Sequence, residues 1–213
     1  MPLDMTAMYA MHHALRRELE HIARVTVRID DDPRRILSTA IGWQLFTRSV
    51  RIHHSAEDDM LWPALRRQLA DRPDGLVLLE AMEAEHAAID QLIATVNELL
   101  ADPDPDPDVD QVRLGDLTDS LVTGLRGHLR HEEDTAIPLI RRALTTRQWA
   151  AFDQIHGQRV GADAPRLLPW LLENADPQTT ARMLATLPEP ARIAYNTQWQ
   201  PAHAALDRWC SRA

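Results

Sequence analysis

The sequence predicts an all-α protein: an antiparallel, up-down four-helix bundle followed by a C-terminal extension of short helices. Three observations carry this. Glycine is scarce, with 7 in 213 residues, and aromatics make up 5%, which disfavours a sheet and favours helices. Apolar residues recur at alternating steps of three and four over four long stretches, the mark of one buried helix face. The first 145 residues also contain an internal repeat of two helical hairpins, and two such hairpins pack into a bundle with approximate two-fold symmetry.

The first helix carries Met5, Met8, His12, Leu15, Leu19 and Ile22 on one stripe and ends near Asp30, Asp31, Asp32 and Pro33. The second runs from about Arg34, with Trp43, Phe46, Val50, His53, Glu57 and Met60 on its face. Pro63 should bend it or end its regular hydrogen bonding. Asp71 to Gly75 reads as a turn. The third helix starts near Leu76 and aligns Leu79, Met82, His86, Ile89, Ile93, Val96 and Leu100. Residues 102–110 read DPDPDPDVD, expected to be an exposed, semi-extended linker. The fourth helix starts near Gln111, and Leu114, Leu117, Leu121, Leu125, His128 and Glu132 share its face ahead of Pro138.

These four helices define a bundle over residues 1–145, and residues 146–213 form the extension. Short helical pieces are expected there at 145–160, 164–174, 177–187, 189–198 and 201–210, separated by prolines. Four of the six tryptophans, Trp149, Trp170, Trp199 and Trp209, lie in this tail. Groups that large must pack against something, either the bundle itself or a second subunit or protein partner.

The net charge of -9 repels nucleic-acid backbones and anionic lipid, so neither nucleic acid nor membrane is an expected partner. The single cysteine, Cys210, excludes an internal disulfide framework and suits a reducing, cytoplasmic location. It has no histidine partner at a recognisable spacing, so no nucleophile role is expected. No apolar segment near the N-terminus reads as a signal peptide, and stretches such as 167–172 are too short to span a bilayer.

The repeat carries the chemistry. His53, Glu57 and Pro63 follow H-x3-E-x5-P, and His128, Glu132 and Pro138 repeat it. His12 and His86 precede these pairs at nearly equal distances. Residues four apart on a helix point nearly the same way, so all six polar groups fall on stripes that face the core. A buried imidazole must be bonded, and two buried carboxylates facing each other repel. Metal cations resolve both costs. Four histidines and two carboxylates exceed one tetrahedral site and suit two metals, each with two histidines, bridged by both glutamates. The metal ligands are therefore expected to be His12, His53, Glu57, His86, His128 and Glu132. His13, His54 and Glu133 are the neighbouring rivals; His54, about 100° from His53, is expected to be exposed or behind the ligands. Asp58, Asp59, Glu133 and Asp134 are expected to lie outside the ligand set, some orienting histidines and others solvated. His131 is expected at the entrance, while His21, His156 and His203 are expected on the surface. Tyr9 is expected either to hydrogen-bond near the site or to pack.

MHHALRREL, HHSAEDDMLWP, EAEHAAI and HLRHEEDTAIPLI resemble the four helices of hemerythrin-like (HHE cation-binding) domains. The chain is similar to the actinobacterial type with a proline- and tryptophan-rich C-terminal extension. The resemblance implies a non-haem di-iron centre, with the same six residues as ligands, that binds oxygen or related small ligands. Oxygen-carrying hemerythrins have a second histidine four away on the third helix; here Asp90 and Met82 stand at those spacings. They also place the fourth-helix carboxylate five after its histidine, where this chain has Glu133. The expected site is therefore poorer in histidine than an oxygen carrier's. Three functions follow as expectations: binding or sensing of a diatomic ligand or peroxide, with the extension transmitting the change; peroxide-consuming or oxidase chemistry; or iron handling and structural metal binding. Two iron ions are the expected cofactor, and manganese and zinc accept the same ligands.

Overall fold

The computed structural model describes residues 2–26 and 32–209, without the side chains of 107 and 108. Cys210 and the Asp30–Asp31 break lie outside the described residues. Every regular element described is helical, as the composition predicts.

Helix α1 spans Thr6–Thr26. Asp32 caps the short α2, Pro33–Thr39, by accepting from the Arg34 amide, with Pro33 at the first turn where its missing N–H costs nothing. The expected second helix is thus broken: Ala40 is extended, and α3 begins afresh at Ile41–Ala56. It continues through a π-helical turn, Glu57–Leu61, into α4, Trp62–Gln68. Helix α5 is Pro73–Ala101. Only residues 102–106 of the Asp-Pro run stay outside helix. Asp106 caps α6, Pro107–His131, so the linker is shorter than its composition predicts. A proline one residue past a capping aspartate starts a helix as readily as it prevents one. The Arg34 guanidinium crosses to this corner and donates to the carbonyls of Leu99 and Asp102, closing the end of α5.

Helix α6 also passes through a π turn, Glu132–Ala136, into α7, Ile137–Ala143. The two π turns sit at equivalent places of the repeat, each beginning at the motif glutamate and ending before its proline. Pro63 and Pro138 lack an N–H and crowd the preceding turn; widening that turn relieves both and re-aims the carboxylate. A third π turn, Tyr195–Trp199, precedes Pro201 in the same way. The widening therefore follows from the proline, and what is special in the first two is the glutamate.

The core has two apolar layers with a polar layer between them. One holds Leu15, Leu19 and Ile22 with Phe46, Val50, Ile89, Val96, Leu121 and Leu125. The other holds Met5, Met8, Leu61, Trp62, Leu79, Met82, Ile137 and Ile140. The chain visits the layers in opposite order on successive long helices, which gives the up-down-up-down arrangement.

The extension is α8, Thr146–Val160; α9, Ala164–Leu172; α10, Pro177–Ala185; α11, Glu189–Ala194; and α12, Gln200–Ala204. It folds back on the bundle: α8 packs on α3, and α9 on both α1 and α3. Trp170 and Trp209 join the first layer and Trp149 the second, while Trp199 is half-buried. Trp209 covers Gly42, where an added Cβ would come within 2.4 Å of the indole. The Gly42 amide donates to the Arg208 carbonyl at 2.9 Å. This seat for the chain end also accounts for the broken second helix.

Candidate metal centre

All six sequence-predicted ligands lie in the polar layer between the two apolar clusters, and all are buried. α1 supplies His12; α3 and its π turn supply His53 and Glu57; α5 supplies His86; α6 and its π turn supply His128 and Glu132. The His12 and His53 Nε2 atoms are 3.3 Å apart, and those of His86 and His128 are 3.2 Å apart. The glutamates span the two pairs. Glu57 Oε1 lies 3.5 Å from His53 Nε2, and its Oε2 lies 3.5 Å from His86 Nε2. Glu132 Oε2 lies 3.1 Å from His12 Nε2 and 4.0 Å from His128 Nε2.

With the imidazole protons on Nδ1, none of the four carboxylate oxygens has a hydrogen-bond partner. Buried, acceptor-only groups left in this condition are costly, and a cation is the partner that would satisfy all four. The other side of three of the four rings is prepared accordingly. His12 Nδ1 donates to Glu133 at 2.8 Å, His86 Nδ1 to Asp58 at 2.7 Å, and His128 Nδ1 to Glu85 at 2.8 Å. With Nδ1 carrying the proton, the Nε2 lone pair points inward, the tautomer a metal needs. Arg16 grips Glu133 with two hydrogen bonds, and His131 donates to Glu85, so two of these supports are themselves held.

The electrostatics agree with the geometry. Burial pushes the Glu57 carboxyl well up, and the Glu132 charge adds to it. Burial acts on Glu132 in the same sense, but His12 outweighs it and holds the carboxyl at about 2. On His12 itself burial lowers the pKa, and Glu132 and Glu133 overcome this to raise it to about 9. Burial drives His53 well down. Without metal the shifts favour a proton on Glu57 and a second proton on His12; a divalent cation would displace both.

The residues form two groups whose ligand atoms converge: His12, His53 and Glu132, and His54, His86 and His128. Of the two places expected for His54, exposed or behind the ligands, the exposed one is ruled out. His54 is 1% exposed and points to α5, whereas His53 points to α1. A helix wedged between two neighbours has an inward sector wide enough for adjacent positions about 100° apart. His156 and His203 are likewise buried or nearly so, not on the surface. His156 packs edge-on to His53 with ring centroids 6.2 Å apart, and His203 lies 3.5 Å from Glu173. His21 stacks on Trp209. His13 and Asp90 are exposed. Asp59 pairs with Arg159 and Asp134 with Arg130. Tyr9 packs on the second apolar layer under Arg141, away from the ligands. Glu85 was missed by sequence reasoning; the signal for it is its place immediately before His86.

Beside the His12/His53 pair, between bundle and extension, lies a cavity of about 520 Å³ lined by Met11, Ser49, Ile52, His156, Leu167 and Trp170 among others. A larger cleft of about 850 Å³ lies against Tyr9, His13, Arg141 and Arg182, and none of the six ligands lines either space.

Residues 4–140 match the family described as the hemerythrin HHE cation-binding domain. The chain belongs to that family. Among curated proteins it is similar to two BRUTUS-like zinc finger proteins of Arabidopsis thaliana. They are 22% and 23% identical, each over 95% of this chain and 18% and 17% of their own length. The chain thus spans less than a fifth of these relatives. No solved structure matches it at a significant level. Family and geometry together point to a metal-ion site built from histidine and glutamate. Among the described residues, no helix is long and apolar enough to cross a membrane.

Proposed function

We propose that this protein holds two non-haem iron ions between the His12/His53 and His86/His128 pairs, bridged by Glu57 and Glu132, and that it binds or senses a small ligand there. The observation that carries this is the set of four buried glutamate oxygens with no hydrogen-bond partner, spanning two facing histidine pairs. Bound iron supplies a redox-active centre able to take oxygen, nitric oxide or peroxide. The chain's own residues orient the imidazoles through Glu133, Asp58 and Glu85, and exclude water with the two apolar layers. Small uncharged ligands suit the apolar cavity beside His53. Because the extension roofs that cavity through His156, Leu167 and Trp170, a change at the site has a direct path to the tail, which favours sensing over simple storage. A protein partner or second copy would read the change from the tail's outer face, inside the cell.

Iron content and the visible spectrum, measured for the wild type and for His53→Ala with His128→Ala, test the reading. Two irons per chain, lost in the double variant, with a spectrum that nitric oxide alters, is the expected result. Equal metal in both proteins would refute the site. Full loading with a spectrum indifferent to oxygen, nitric oxide and peroxide would leave a structural or iron-handling centre. Sustained peroxide consumption would make the protein an enzyme.

A further inference from the structure

The space between bundle and extension is far larger than a diatomic molecule needs. It measures about 520 Å³, where a water molecule takes about 30 Å³ of the liquid, and it falls within the roughly 300–1,000 Å³ of sites that hold organic molecules. Much of its wall is apolar, with Ile52 from α3, Leu167 and Leu168 from α9, and Met183 from α10. The uncharged polar groups in that wall include three without partners. Ser49 Oγ and Trp170 Nε1 are buried and make no hydrogen bond. The His156 ring touches only other rings, those of His53 and Phe152, and bonds to no described residue. A hydroxyl, an indole and an imidazole each have a proton to donate, and donors withdrawn from water without an acceptor are costly. The charged groups around the space, Asp4, Asp153 and Arg182, are exposed and of both signs, so they select for neither an anion nor a cation.

We infer that this space is a binding site for a neutral, apolar organic molecule carrying an oxygen that accepts a hydrogen bond, of the class of an aryl ketone. The site is separate from the metal centre, because none of the six predicted ligands lines it. The apolar body lies among Ile52, Leu167 and Leu168, and the oxygen takes a proton from the unpaired donors. α10 is the wall that opens. α9 is anchored by the buried Leu167, Trp170 and Leu172, whereas α10 packs on α1 without burying a single residue. An element with so little buried surface opens at lower cost than its neighbours, and α10 can swing away while α9 stays in place.

Titration of the full chain with the neutral fluorescent probe N-phenyl-1-naphthylamine, followed by displacement with benzophenone, diphenylmethane and 4-benzoylbenzoate, tests this. Metal-free protein serves, so the outcome does not depend on the metal reading. Expected is saturable binding of one probe per chain, displaced by benzophenone at about a fivefold lower concentration than by diphenylmethane, the same skeleton without the oxygen. Bound benzophenone should slow amide hydrogen exchange in α10. Leu168→Trp, which fills the space, should abolish probe binding with the circular dichroism unchanged. The preference for the ketone should shrink in at least one of His156→Phe, Ser49→Ala and Trp170→Phe. No saturable binding, or equal binding in a folded Leu168→Trp protein, would overturn the inference. So would a ketone preference that survives all three polar substitutions. Displacement led by 4-benzoylbenzoate would overturn it in favour of an anion held by Arg182.

Discussion

Glu18, on α1, and Glu132, which faces His12 of α1, are both carboxylates with no exposed surface, yet their surroundings are opposite. Glu18 Oε1 accepts from Arg17 Nε at 2.9 Å and from Arg208 Nη1 at 2.8 Å, and its Oε2 accepts from Trp209 Nε1 at 2.9 Å. Arg208 also pairs with Glu173, and Arg17 donates to the carbonyls of Trp170 and Glu173. Every partner is supplied by the chain, and the product is a clasp that ties the extension to the bundle. Glu132 and Glu57 have oxygens that accept nothing, although histidines surround them. A buried charge fully matched by the protein is architecture. A buried charge matched only by groups that can themselves ligate marks where something outside the chain belongs.

The contrast can be broken by removing each carboxylate in turn. Glu18→Ala strands Arg208 and the Trp209 N–H, and should cost about 3–5 kcal/mol, read as a lower urea midpoint with iron content per folded chain unchanged. If stability barely moves, the clasp is not what holds the tail. Gly42→Ala drives a methyl into Trp209 and should cost about 1–3 kcal/mol. Its clearest sign is earlier proteolysis near the C-terminus, and an unchanged digestion pattern would show that the indole seat is dispensable.

The third test sharpens the comparison through pH, on protein stripped of metal. His12 has a raised pKa, about 9 against an ordinary 6.5, so its contribution is fully present below 6.5 and is lost as pH rises through about 9. The stripped protein should lose stability over that window. The loaded protein should not, because metal takes the place of the proton. Parallel thermal melts of the two forms from pH 6 to 9.5 decide it; coincident curves would mean that His12 carries no such proton. The smallest effect belongs to Glu57→Gln. Burial and Glu132 push the Glu57 carboxyl toward its protonated form, which the amide mimics. The stripped variant should unfold within about 1 kcal/mol of the parent while iron binding is lost. A large destabilisation would place Glu57 with Glu18, as a structural carboxylate.

The helices were legible because their signals are local. Stripes of three-and-four spacing, capping aspartates and first-turn prolines act within a few residues. The repeat made the six-residue cluster legible too, since two matched H-x3-E pairs with partner histidines leave few ways to face one core. What failed was inference across helices. The second helix breaks at Ala40, beside the seat at Gly42 for Trp209, a residue more than 160 positions away. His54 is inward only because α5 lies on the side of α3 away from α1. His156 and His203 are covered because the tail folds back.

By itself, then, the sequence determined the all-helical class, the four long helices and the six polar positions that converge. Periodicity fixes which residues share a face, whatever that face later meets. Only the tertiary structure decided that His54 shares the polar layer, which carboxylates stand behind the histidines and where the extension lies. Those depend on the angular width each helix turns inward, and the neighbours on either side set that width.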